Sequence, residues 1–315
     1  MPHVRRWHSL AAAGLCSLVG EREPVGGIRK PVDALLAQAQ VTAPPPDLAL
    51  LGSFRAVRRI EHVMMSEAGR LVPEESGYVI QVNRCHPEGK RRFTVAHEIC
   101  HTFFREALSS VEASVDAATG LFEIRQEEEY LCDVGASHML LHPSWLFPFA
   151  RLHCPSLDGL FEIAAECRAS IEATAFQLAQ SGLWACTFVF WELGVRKAER
   201  VPPEQRAFDG WEPLAEPGKK LRAYRVYGPD GVPFLPRNKS VGSDTQIYRA
   251  FSEQTRTEGD EAIEIGQRSV RAFCQSDYAP YHDETACLHP RVVSCILWES
   301  ARAGTQPLAP KMFAV

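Results

Sequence analysis

The segment Phe93-Thr-Val-Ala-His97-Glu98-Ile-Cys-His101 constrains the chain more than any other. On a helix, residues four apart project from the same face, so His97 and His101 can present two imidazoles to one ion. Imidazole is a good donor to zinc, and a fixed spacing on one helix removes much of the entropy of assembling such a site. Glu98 stands beside them as the natural general base for a water activated by the ion. The pattern is short, and an exposed helix with two solvated histidines would also satisfy it. Phe93, Val95 and Phe104 argue against that alternative, because large apolar residues at helical spacing pack the helix into a core.

A catalytic zinc takes three protein ligands and keeps one position open, so a third donor is expected downstream. Glu129-Tyr-Leu-Cys-Asp133 is the best candidate, with one carboxylate followed a helical turn later by a second. Glu129 is expected to bind the metal, and Asp133 to accept an N–H from a ligating histidine and fix its tautomer. Glu127 and Glu128 compete for the ligand role, but neither has a carboxylate one turn on. Acidic residues here also suit a helix N-terminus. Zn2+ is the expected ion, with another divalent metal such as Mn2+ as the alternative.

The rest of the chain sets the frame. With 315 residues, two or three domains are expected, and 45% hydrophobic residues suffice for real cores. The net charge of −5 and the lack of any Lys/Arg run give no attraction to nucleic acid, so direct DNA binding is not expected. No apolar stretch reaches the ~18 residues of a membrane span. Arg5, Arg6 and the run Leu10 to Val19 loosely resemble a secretory leader, but Trp7, Leu10, Ala11, Gly14 and Leu18 recur at the spacing of an amphipathic helix. Ten scattered cysteines, several within apolar runs, read as free buried thiols in a reducing cytoplasm.

Residues 28 to 60 read as a helical entry broken at Pro44-Pro45-Pro46, with a short helix near Asp47 to Leu51. Tyr78 to Val82 reads as a strand closed by Asn83, followed by a helix from about Arg91 to Ala107. A Ser-rich stretch over 108–120 separates it from a helix over about Gln126 to Leu141, ended by His142-Pro143. Two short helices occupy 156–182. Beyond them, strands are expected at Trp184 to Trp191, Leu221 to Tyr227, Ile263 to Ile265 and Val292 to Trp298. A helix from about Ser243 to Phe251 lies among these strands, and a Pro-rich connection covers 202–217. Cys274, His282, Cys287, His289 and Cys295 lack the paired spacing of structural zinc modules and read as strand and loop. Tyr130 and His138 are considered as donors to an oxyanion.

With these residues placed, the chain resembles the ImmA/IrrE family of bacterial metallo-endopeptidases. Arg92 to His101 resembles that family's RFTLAHEIGH segment, and Glu129 to Pro143 its E-x-x-C-N-x-x-A-A-x-x-L-M-P helix. Cys100 departs from the usual small residue, raising the question of redox sensitivity; Asp133 replaces Asn, and His142 replaces Met. The resemblance implies an α+β chain. Its parts would be an N-terminal helical segment (1–27), a mainly helical zincin-like peptidase domain with a small sheet (28–150), a helix-turn-helix-like segment (151–182) and a GAF-like α+β domain (183–315). It further implies that Tyr78, Ile80 and Asn83 lie on an edge strand that pairs with substrate. The implied substrate is a helix-turn-helix repressor, cleaved so that stress or mobile-element genes are derepressed, with a small-molecule signal at the C-terminal domain. The rival readings are a transcription regulator or ligand sensor with a vestigial metal centre, and a secreted peptidase.

Overall fold

The computed structural model describes residues 7, 9–109, 121–196, 218–282 and 287–299. Residues 110–120 of the expected Ser-rich separator over 108–120 and the Pro-rich connection over 202–217 lie outside them, and Leu108 and Ser109 end a helix. The architecture is α+β, and the chain divides into two compact units. One contains the described residues up to Phe149 together with Glu162–Thr174; the other contains Ala150–Phe161 and Ala175 onward, residues 284–286 apart. Residues 151–182 are therefore shared between the units.

The first unit opens with α1 (Leu10–Val19) and α2 (Pro24–Gln38). Ser9 caps α1 by accepting the Ala12 N–H, and Ala11, Ala12, Leu15 and Cys16 are buried, the face an amphipathic helix would bury. Helix α2 begins at Pro24, four residues before the expected helical entry at 28. Pro31 removes one interior hydrogen bond, but Ile28, Val32, Leu35 and Leu36 still form one buried face. Asp47 caps α3 (Leu48–Ser53) through the N–H groups of Ala49 and Leu50.

Three strands follow: β1 (Val57–Val63), β2 (Gly69–Glu74) and β3 (Gly77–Asn83), in the order β1-β3-β2. The sequence leads one to expect Tyr78, Ile80 and Asn83 on an edge strand. They lie on the central one instead, paired in parallel with β1 and antiparallel with β2. Ile80 and Asn83 are buried, and the Asn83 amide donates to the Met65 carbonyl at 2.6 Å. Strands β1 and β2 escape a reading by alternation because charged residues fill them. Arg70, Gln81, Glu61, Arg59 and Glu74 form a hydrogen-bonded polar ladder across the sheet. Gly77 is required at the β2–β3 turn. Its φ is +143°, and a Cβ there would lie 2.2 Å from the Ala56 carbonyl oxygen, which accepts the Tyr78 N–H.

The long helices α4 (Glu88–Ser109) and α5 (Leu121–Leu140) pack against each other and against α1 and α2. Pro143, expected to end a helix, does so and also starts α6 (Pro143–Leu152), where a proline is tolerated in the first turn. Helices α7 (Leu157–Glu166) and α8 (Ile171–Ser181) are the two expected short ones.

The second unit is built on β4 (Thr187–Gly194), β5 (Lys220–Tyr227), β6 (Thr257–Ile265), β7 (Arg268–Tyr278) and β10 (Arg291–Trp298), a five-stranded antiparallel sheet ordered β5-β4-β10-β7-β6. A small hairpin pairs β8 (Tyr281–His282) with β9 (Leu288–His289). Strand β4 is apolar on both faces because it is interior: Phe188, Val189, Phe190 and Trp191 are all buried. The indoles of Trp191 and Trp298 are buried with partners, donating to Ser294 and Thr187 hydroxyls at 2.9 and 2.8 Å. Helix α9 (Gln246–Glu253), capped by Thr245, packs against β6, β7 and β10. Strand β7 goes unread in the sequence because Arg268, Arg271, Gln275 and Asp277 dilute its apolar positions.

Candidate metal centre

Helix α4 carries His97, Glu98 and His101, and α5 carries Glu128, Glu129, Cys132 and Asp133. The two helices are held together by Ala96, Ile99, Cys100, Phe103 and Phe104 on one side and Leu131, Cys132, Ala136 and Met139 on the other, all buried. This packing brings the polar faces into register.

The Nε2 atoms of His97 and His101 lie 3.1 Å apart. Both face the Glu129 carboxylate, whose oxygens are 3.0 Å from His97 Nε2 and 3.7 Å from His101 Nε2. Behind them, His97 Nδ1 is 2.9 Å from Asp133 Oδ1, the contact expected from the carboxylate spacing. His101 Nδ1 is 2.8 Å from Glu128 Oε1. Of the three consecutive glutamates, Glu127 faces elsewhere: it is buried and accepts the Ser9 N–H at 2.9 Å. The sequence offers Glu128 only as a competing ligand; the structure instead sets it behind His101, as Asp133 sits behind His97.

These contacts test whether a cation fits. Carboxylates on both Nδ1 atoms hold the protons there, so two Nε2 lone pairs face each other beside a third anionic donor. A divalent cation would relieve that arrangement, and without one a second proton on His97 does so. The same crowding of anions acts on His97. Burial alone would lower its pKa, but Asp133 and Glu129 outweigh it and raise it to about 9. Cys132 Sγ also lies within 4.8 Å of the donor nitrogens. Burial pushes its pKa well up, which keeps it a neutral thiol.

Glu98 is only 7% exposed, and burial raises its pKa, with the two histidines opposing the shift. The Leu71 backbone N–H on β2 donates to it. That strand reaches α4 because residue 69 is glycine: a Cβ there would lie 2.3 Å from Thr94 Cγ2 and 2.9 Å from the Gln81 carbonyl. Strand β2, at the sheet edge, therefore borders the site, rather than β3.

Other expected candidates fall outside it. Tyr130 is exposed and its ring lies 6.0 Å from that of Trp7. His138 is engaged with Asp33. Cys100 is fully buried and its pKa is strongly raised by that burial, so the thiolate needed for redox chemistry is disfavoured. In the second unit Cys274 and Cys295 are buried on β7 and β10, and His289 stacks on Tyr281. Among the described residues, no helix is long and apolar enough to cross a membrane.

Residues 56–179 match the family described as the IrrE N-terminal-like domain. A solved structure described as a Mycobacterium tuberculosis transcriptional regulator shares the fold, with a TM-score of 0.54, 10% identity, and coverage of 93% of this chain and 81% of that one. No curated protein matches. Helix α4 and the whole acidic turn of α5 fall within the matched residues, so the segment that carries the candidate centre is similar to the IrrE N-terminal-like domain.

Proposed function

We propose that this protein is a zinc-dependent endopeptidase whose ligands are His97, His101 and Glu129 and whose general base is Glu98. The observation that carries the reading is the convergence of two imidazole Nε2 atoms and one carboxylate, with each Nδ1 held by its own acid. A bound zinc ion would supply Lewis-acid chemistry, lowering the pKa of water to about 7 and polarising the scissile carbonyl. Glu98 accepts the proton of the attacking water and delivers it to the departing amine nitrogen. Burial suits it to this exchange, because a carboxyl with a raised pKa holds a proton more readily than an exposed one. Asp133 and Glu128 keep both imidazoles in the tautomer that leaves Nε2 free.

The substrate segment is proposed to lie along the free edge of β2 and gain main-chain hydrogen bonds there. Pro73 lacks an N–H and limits that pairing at one end. A helix-turn-helix repressor is the proposed substrate, on the resemblance of the α4 and α5 motifs to those of repressor-cleaving peptidases. The five-stranded unit with α9 supports a GAF-like reading and a small-molecule signal as its ligand. All ten cysteines are free, which supports a reducing, cytoplasmic setting.

The test is Glu98→Gln, co-expressed with a repressor encoded beside the gene. Metal content should be retained while cleavage falls by a factor of about 10² to 10⁴, the usual contribution of a positioned base. Undiminished cleavage by this variant would sink the assigned role. A zinc-loaded wild-type chain that leaves the repressor intact would mean a different substrate or a required activating signal, whereas a chain that binds no zinc would favour the sensor alternative.

A further inference from the structure

A second cluster of metal-competent side chains lies at the other end of α5. Asp33 on α2, His138 in the last turn of α5 and His142 at the start of α6 bring a carboxylate oxygen and two imidazole nitrogens within 4.8 Å of one another. His138 Nε2 is 2.6 Å and His142 Nε2 is 3.0 Å from the same oxygen, Asp33 Oδ1. The two rings sit edge to face with centroids 4.8 Å apart. His138 is nine residues beyond Glu129, which on a helix is roughly 13 Å along the axis and about half a turn around it. The cluster shares no residue with the His97 centre.

Several features distinguish this group from an incidental hydrogen-bonded trio. Both imidazoles aim the same nitrogen at one point. The four-residue spacing fits continued helical geometry, since the Leu141 N–H still bonds the Ser137 carbonyl. His138 is buried at 8% exposure, whereas the Asp33 side chain is 51% exposed, so the donor set is anchored on one side and open to water on the other. Ser144 supports either tautomer of His142. Its N–H reaches Nδ1 at 3.2 Å, and its hydroxyl lies 2.8 Å from the same atom. Without a cation, Nδ1 accepts the Ser144 N–H and Nε2–H donates to Asp33. With one, the His142 proton moves to Nδ1, where the Ser144 hydroxyl accepts it and the Ser144 N–H gives up its bond to that atom, leaving Nε2 free with no net change in protons on His142.

We propose that Asp33, His138 and His142 form a second binding site for a borderline divalent transition ion such as zinc, bracing α2 against the junction of α5 and α6. Two imidazoles and one carboxylate select such ions over magnesium or calcium, which prefer oxygen donors alone. Arg29, one turn before Asp33, adds a nearby positive charge, so the site is weaker than the His97 centre and empties first under a chelator. The brace would stabilise the packing of α2 on α5 without taking part in peptide hydrolysis.

The experiment uses the untagged full chain, stripped with a chelator and titrated with zinc, with stoichiometry read by elemental analysis after equilibrium dialysis. Two equivalents are expected for the wild-type chain and one for the H97A/H101A variant. A single change, His142→Asn, should leave one equivalent, retained at the His97 centre, because asparagine can still cap α6. A wild-type chain that binds one equivalent and keeps it in His142→Asn overturns the proposal. So does an H97A/H101A variant that is folded by circular dichroism and takes up none. A chain whose one equivalent survives in H97A/H101A but is lost in His142→Asn supports this site and counts against the proposed catalytic centre. The cobalt-loaded H97A/H101A variant gives an independent reading: visible absorption is expected, and its disappearance on adding Asp33→Asn would identify the carboxylate as a ligand.

Discussion

Gly135 sits on α5 where that helix meets both α4 and α2, and its substitution by alanine tests the packing that assembles the proposed metal centre. A Cβ at this position would lie 2.7 Å from Cys100 Sγ and 2.8 Å from Ile28 Cγ1. Favourable contacts between such atoms begin near 3.5 Å, so roughly 0.7 Å of overlap must be relieved. Neither neighbour can yield easily: both are fully buried, and Ile28 is a β-branched residue with one preferred rotamer in a helix. Overpacking of this kind costs about 1–3 kcal/mol. Alanine recovers about 1 kcal/mol of helix propensity over glycine. The net effect is a destabilisation of about 1 kcal/mol, or a fall in Tm of about 2–4 °C for a unit of this size. The larger consequence is positional. Helix α5 moves away from α4, the 2.9 Å contact between Asp133 and His97 opens, and zinc affinity falls by about 10-fold or more. Adding Cys100→Ala removes one of the clashing atoms and should restore part of both losses, a coupling of about 1 kcal/mol. Thermal unfolding with and without zinc, together with a competition titration against a chromophoric chelator, reads both quantities. A Gly135→Ala chain that gains about 1 kcal/mol and keeps its zinc affinity would refute the reasoning, since propensity alone would then act and α5 would not be seated on Cys100 and Ile28.

Two further outcomes follow from the same contacts. Glu128→Gln replaces the acid on His101 Nδ1 by an amide, and zinc affinity should fall by about 10- to 100-fold while turnover at saturating zinc changes little; an unaltered dissociation constant would show that Glu128 does not orient His101. Under native conditions at neutral pH, iodoacetamide should label Cys85, Cys154 and Cys287, which are exposed, and spare Cys100 and Cys132, which are buried with raised thiol pKa values. Peptide mass mapping reads the order directly, and early labelling of Cys100 would revive a redox role for it.

What could be read from the sequence, and what could not, divides by how far apart the interacting residues lie. His97, Glu98 and His101 share two turns of one helix, so their chemistry is written in consecutive positions, and Asp133 follows from a one-turn offset to Glu129. The apolar runs of β4 and β10 are equally local, because an interior strand announces itself by its own side chains. The three glutamates at 127–129 show where this stops. Successive residues on a helix differ by about 100° in direction, so one sequence triplet supplies three different partners: Ser9, His101 and His97. Only the docking of α5 on α4 and α1 decides which acid meets which group. Strand order is less local still. Tyr78 to Asn83 reads well as a strand, yet its place in the centre depends on β1 and β2, whose charged residues conceal them and whose pairing is set through Gly77 and the polar ladder. The Asp33 cluster is the extreme case. The sequence marks neither His138 nor His142 as half of a pair, and the carboxylate they share lies 105 residues before His138. No spacing rule reaches that distance, and only the packing of α2 against α5 brings the three together. Donor groups a turn apart on one helix, His97 with His101 and Glu129 with Asp133, are thus the readable part of the proposed centre, whereas a group such as Asp33 that meets its partners from another helix has to come from the fold.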